Sequence, residues 1–284
     1  MVLAIALTIL LVEVIGSLVT GSVALLADAG HMLTDVSALA LSLGAVALAA
    51  RAPTARRTFG WQRAEILAAV LNSVFLMAVG ISIIVESVQR LTSSPNVAAG
   101  SMLAFAMIAV LGNAIAAWIL RAGQRNSLNI RGAYLEVLSD LLGAGVVVIA
   151  SLIIRVTGFK QTDAIAGLII GLMILPRTWT LLRDALNVLV EAVPKNIDLE
   201  VVREHLLEVA GVEDVHDLHA WTITSGMPVL SAHVVVSDKI FAQNIGGPLL
   251  DKLGNCISDH FDIEHSTFQL EQSGHQDHEG EMHL

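Results

Sequence analysis

The chain has 284 residues, of which 55% are apolar and only 15% charged, with a mean hydropathy of +0.71. Soluble domains usually carry about 25% charge, so a wholly soluble globule is excluded and a membrane protein is implied. The net charge of −10 is unevenly spread: residues 1–190 hold twelve basic and nine acidic residues, residues 191–284 four and seventeen. A membrane part followed by an acidic, water-facing part suits cations and argues against nucleic acid.

Six apolar stretches long enough to cross roughly 30 Å of hydrocarbon lie near 2–20, 23–50, 64–88, 98–120, 133–154 and 164–182. The first lacks the basic n-region and A-x-A site of a signal peptide and reads as a membrane helix, with a missing natural N-terminal tail left open. Small residues in the second, fifth and sixth stretches (Gly44, Gly143, Gly145, Gly167, Gly171) permit close helix packing. Pro176 either kinks the sixth or marks its end. Arg51, Arg56, Arg57 and Arg63 follow the second stretch, and Arg121, Arg125 and Arg131 the fourth. Arg177, Arg183 and Lys195 surround the exit of the sixth. The opposite side has only Arg90, Arg155 and Lys160. The positive-inside rule then puts both termini in the cytoplasm.

Beyond Pro194 the hydrophobic period changes. A helix is expected over 198–210, strands over 215–224 and 229–237 around a Ser225-Gly226 turn, a helix over 241–261 with a Gly246-Gly247-Pro248 interruption near its start, and a strand over 266–271. That αββαβ order predicts a small α+β domain with helices on one face of a sheet. The chain thus divides into a six-helix transmembrane domain (1–190), a cytoplasmic metal-binding α+β domain (195–272) and a His/acid-rich tail (273–284) expected to be disordered. Cys256 is the only cysteine, so there is no intrachain disulfide, as suits a cytosolic domain.

Two pairs of ionisable residues lie within apolar stretches. His31 and Asp35 are spaced i, i+4 in the second, and Glu136 and Asp140 repeat that spacing in the fifth. On a helix each pair shares one face. A charge at membrane depth costs roughly 2.5–3.5 kcal/mol on insertion scales, so four such groups at matched spacing point to a buried metal or proton site. Imidazole and carboxylate one turn apart suit a divalent ion such as zinc. Two adjacent carboxylates exchange protons against a cation. The competing reading, a salt-bridged structural pair, needs a basic partner, and no Lys or Arg occurs within either span at that depth. Asp28, one turn before His31, caps or guides ions as readily as it binds them. Glu65 and Asp163 sit near helix starts, where carboxylates are favoured, and Asn113 is the best supporting polar candidate among the rest.

In the α+β part, His216, His219, His233 and Glu271, with His265 nearby, form a second group that reads either as a metal site or as ordinary edge-strand polarity. Strand parity turns His219 to the face opposite His216. The tail, with His275, His278 and His283, either collects metal loosely or is plainly solvated.

Leu25–Asp35, Phe59–Ala68, Gly132–Asp140 and the His216–Trp221 run together resemble the cation diffusion facilitator family, specifically its CzcD-type branch of zinc, cobalt and cadmium exporters. The resemblance covers essentially the whole chain. It implies a homodimeric metal/proton antiporter of the bacterial inner (plasma) membrane, in contact with lipid. Its tetrahedral transport site would be built from His31, Asp35, Glu136 and Asp140, with protons as counter-ion. It also implies bound regulatory zinc at His216, His233 and Glu271, with His219 and His265 as weaker candidates. Many zinc-transporting members have His where this chain has Glu136, which makes the site harder and its selectivity broader. The loop between spans two and three has arginines but no His or Asp, so a secondary metal site found there in some relatives is absent. An intramembrane metalloenzyme would need an open coordination position and a base, and no H-E-x-x-H pattern occurs. A membrane-bound metal sensor signalling through its cytoplasmic domain is the remaining alternative, but it leaves the paired ligands of two spans unexplained.

Overall fold

A computed structural model describes residues 2–93, 97–122, 128–243 and 245–275. Most of the tail, including His278 and His283, lies outside the described residues. The chain divides into two compact units: Met1–Ala47 with Leu67–Arg183, and Leu48–Ile66 with Asp184–Leu284.

The first unit is built from six helices: α1 (Val2–Thr20), α2 (Val23–Ala49), α3 (Ala64–Leu91), α4 (Ala99–Arg121), α5 (Leu128–Thr157) and α6 (Gln161–Leu189). Helices satisfy every backbone polar group internally, as a lipid environment requires. Five of them contain a described stretch long and apolar enough to cross a membrane; α2, which carries Asp28, His31 and Asp35, is the sixth long helix. Gly21, with φ of 68°, turns the chain between α1 and α2, a backbone position that a residue with a Cβ enters only with strain.

Close packing uses some of the expected small residues and not others. A Cβ at Gly143 of α5 would meet an Asp28 carboxylate oxygen at 2.8 Å, and one at Gly171 of α6 would meet Ile84 at 2.9 Å. Gly167 lies equally close to Ser87. Gly44 and Gly145 instead have no described atom within 4 Å of that position, so the expected packing role does not hold for them. Nor does α6 end at Pro176. It continues to Leu189, with the Thr180 hydroxyl donating to the Pro176 carbonyl at 3.0 Å.

The second unit adds α7 (Leu199–Leu207), β1 (Val212–Thr222), β2 (Pro228–Val236), α8 (Asp238–Ala242), α9 (Gly246–Phe261) and β3 (His265–Glu271). Asp198 caps α7 by accepting from the Glu200 amide at 3.0 Å. The helix expected over 241–261 is two helices, and the Gly246-Gly247-Pro248 sequence opens the second rather than interrupting one. Proline suits a first helical turn, where its missing N–H has no partner to lose. The sheet runs β1-β2-β3, antiparallel and then parallel. Leu230, Ala232, Val234 and Val236 of β2 pack with Val202 and Leu206 of α7 and Leu249, Leu253 and Ile257 of α9. The opposite face of β2 carries Ser231 and His233, between Val229 and Val235.

β1 is not regular. Its register against β2 shifts between His216 and His219, and Asp217 takes a φ of 47° there. His216 pairs with His233 and His219 with Ser231, two β2 positions of the same parity. The bulge therefore returns His219 to the face that carries His216, against the parity expectation.

Candidate functional site

In the first unit, α2 and α5 bring the two ionisable pairs together. Ligand-type atoms of His31, Asp35 and Glu136 all lie within 4.8 Å of one another. His31 Nε2 is 3.9 Å from an Asp35 oxygen and 3.5 Å from an Asp140 oxygen. At these separations the groups face each other without forming good hydrogen bonds. Nδ1 of His31, Oδ2 of Asp35 and Oδ1 of Asp140 are buried and have no hydrogen-bond partner among the described residues. Buried polar atoms are ordinarily paired, so these three are set out for something other than protein.

His31 and Asp35 line a cavity of about 170 Å³, together with Asp28, Asn72, Ser139 and Arg177 among others. The Asn72 carboxamide oxygen is another buried acceptor without a partner. Asn113, the residue expected to support the site, is buried in α4 and does not line this cavity. Asp28 does line it, and next to Asp28 sits Glu13 of α1, fully buried.

Glu136 has a basic partner after all. Arg177 of α6 forks onto it with hydrogen bonds of 2.6 and 2.5 Å, one to each carboxylate oxygen. The partner comes from a third helix, so inspecting spans two and five alone does not reveal it. Asp163 also differs from its expected role. It begins α6, yet its carboxylate accepts from the Val23 amide at 2.8 Å and the Ala24 amide at 3.3 Å, and from the Ser22 hydroxyl. It thereby caps α2, the helix that carries His31 and Asp35. Glu65 likewise begins α3, and its carboxylate accepts from the Thr224 hydroxyl at 2.5 Å.

In the second unit, each strand supplies one member of a second cluster. Ligand-type atoms of His216 (β1), His233 (β2) and Glu271 (β3) lie within 4.8 Å of one another. His233 Nδ1 is 2.9 Å from Glu271, and His216 Nε2 is 3.5 Å from it. Glu271 is almost wholly buried, and the Gln269 amide donates to it at 2.7 Å. Asp217, absent from the sequence-based candidates, reaches the cluster through the bulge. It stands 3.5 Å from His233 Nε2 and 2.7 Å from His219 Nε2. In a regular strand it would point to the other face, so parity hides it. His265 instead stacks edge-on against Phe59, with ring centroids 5.7 Å apart. Both clusters combine imidazole with carboxylates, the donor set of zinc and similar divalent ions.

Comparison with known proteins decides the family. The family model for the cation efflux transmembrane domain matches residues 1–190, and that for the cation efflux protein cytoplasmic domain matches residues 194–273. The metal cation efflux system protein CzcD of Cupriavidus metallidurans is 45% identical over 93% of this chain and 83% of its own length. The chain belongs to the cation diffusion facilitator family, in its CzcD-type branch. A cadmium, cobalt and zinc/H(+)-K(+) antiporter of Bacillus subtilis is 37% identical, covering 94% of this chain and 86% of that protein. The zinc transporter ZitB of Escherichia coli is 40% identical, covering 92% and 83%. The chain is therefore a multipass membrane protein of a family of metal cation transporters, with a small cytoplasmic domain carrying a three-stranded sheet. All three relatives are named for transport or efflux, which gives the metalloenzyme alternative no support.

Proposed function

We propose that this protein exports divalent metal cations from the cytoplasm: Zn²⁺, and also Co²⁺ or Cd²⁺, in exchange for protons. The ion is held by His31, Asp35, Glu136 and Asp140, and alternating access opens that site first to one side of the membrane and then to the other. The carrying observation is the gathering of these side chains on α2 and α5, with buried, unpartnered atoms of His31, Asp35 and Asp140. The names of the Bacillus and Escherichia relatives support zinc as cargo, and that of the Bacillus relative supports a proton counter-ion.

Carboxylates do two jobs in such a site. Ionised, they hold the cation; protonated, they release it, so metal and protons exclude one another. His31 adds a neutral nitrogen donor, which favours zinc over magnesium or calcium. In the cytoplasmic domain, His216, His233 and Glu271 bind a regulatory zinc ion. The domain pairs with that of a second copy, and both termini face the cytoplasm of a bacterial inner membrane. The acidic balance of residues 191–284 supports attraction of cations to that side.

Metal-driven proton flux in proteoliposomes tests the reading. Asp140→Ala and Asp35→Ala should abolish zinc flux while the protein still inserts, since each removes one donor from a shared site. Wild-type flux in either purified variant overturns the assignment.

A further inference from the structure

We propose that Arg177 is the built-in counter-cation of the membrane site. It holds Glu136 while the site is empty and must share or yield that carboxylate when an ion enters, which keeps the ion loosely enough bound to leave. The inference rests on the transport site proposed above.

Arg177 is the only Lys or Arg lining the cavity among the described residues. Its guanidinium engages both oxygens of Glu136 in the planar two-bond geometry that makes arginine–carboxylate pairs strong and directional. Glu136 is at the same time within ligand distance of His31 and Asp35. One carboxylate is thus claimed from two sides, by a guanidinium from α6 and by whatever occupies the space between α2 and α5. An incoming divalent ion meets a fixed positive charge one carboxylate away, and the two repel. Without Arg177, an empty site would leave the carboxylates of Asp35, Glu136 and Asp140 gathered about His31 with no cation. With it, the empty site is already partly neutralised, and the ion must compete for its fourth donor.

A merely orienting arginine and a competing one make opposite predictions. If Arg177 orients Glu136 for the ion, its removal weakens zinc binding. If it competes, removal frees Glu136, so the ion binds more tightly and leaves more slowly.

The experiment is zinc flux in proteoliposomes, measured as KM and kcat, for wild type, Arg177→Met and Arg177→Lys, with zinc Kd by calorimetry on the solubilised protein for these and for Glu136→Gln and the Arg177→Met/Glu136→Gln double variant. Competition predicts that Arg177→Met lowers KM about tenfold, the scale of losing one charge-assisted hydrogen-bond pair, and lowers kcat as well. Arg177→Lys, which keeps the charge but not the fork, should shift both in the same direction by less. In the Glu136→Gln background, which lacks a ligand carboxylate and is read by zinc binding rather than flux, adding Arg177→Met should change the Kd by no more than about twofold, because the shared carboxylate is gone. A KM that rises or stays unchanged in Arg177→Met overturns the inference, as does an Arg177→Met shift in zinc Kd that persists undiminished in the Glu136→Gln background. Should Arg177→Met fail to fold, the same direction of change in Arg177→Lys decides. Absence of zinc flux in wild type would instead refute the transport-site reading.

Discussion

Asp163 caps a helix other than its own. It stands in the first turn of α6, but its carboxylate accepts the free amides of Val23 and Ala24 at the start of α2, at 2.8 and 3.3 Å. Unpaired amides at a helix start carry partial positive charge, so an anion fixed there stabilises the helix. Asp163→Ala should lower stability by about 1.5–3 kcal/mol, the range for hydrogen bonds to a buried charged group. Thermal unfolding in detergent checks this, and an unchanged midpoint would mean that α2 holds its start by other contacts.

The two glycines of α5 should respond differently to an added methyl group. Gly143→Ala places a Cβ 2.8 Å from the Asp28 carboxylate, whereas Gly145→Ala meets no atom of the described residues within 4 Å. Overpacking typically costs about 1–3 kcal/mol. Gly143→Ala should therefore lower the unfolding temperature and zinc flux together, and Gly145→Ala should leave both near wild type. Equal behaviour of the two variants would refute the close approach of α2 and α5.

His233→Ala should remove metal from the cytoplasmic domain without removing it from the membrane site. Calorimetry on the full-length protein should show fewer zinc ions bound, while flux falls only in part. Asp217→Asn should weaken the same binding phase, since Asp217 stands 3.5 Å from His233. Intact stoichiometry in His233→Ala, or flux lost as completely as in Asp140→Ala, contradicts the separation into two sites.

The Cys256 thiol should react slowly. Burial pushes its pKa up, and Glu208 and Asp259 push it further. A raised pKa leaves less thiolate at neutral pH, and the thiolate is the nucleophile. Alkylation by iodoacetamide should be slow at pH 7 and accelerate steeply above pH 9. A rate already at its plateau near pH 8 would contradict the raised pKa.

What the sequence reveals here is what periodicity carries. Apolar runs gave the long helices, and the change of period after Pro194 gave the α+β part with strand ends correct to within three residues. The i, i+4 spacing placed His31 with Asp35 and Glu136 with Asp140 because one helix face is a purely local property. Partners from a third element were not legible. Nothing near Arg177 in the sequence points to Glu136, 41 positions earlier, and Asp163 read as a cap for its own helix because the α2 amides lie 140 residues away. His219 was placed on the wrong face, and Asp217 was not a candidate at all, for a different reason. Parity arguments assume an unbroken strand, and a single residue with positive φ reverses every inference beyond it.

The uninterrupted course of α6 through Pro176 has a mechanical consequence. Proline has no amide hydrogen, so the carbonyl of Leu172 lacks the bond that would close this turn of the helix. A bend at that point has one less bond to break than anywhere else along α6. Arg177 is the next residue, so the guanidinium that grips Glu136 is mounted at the softest joint of its helix.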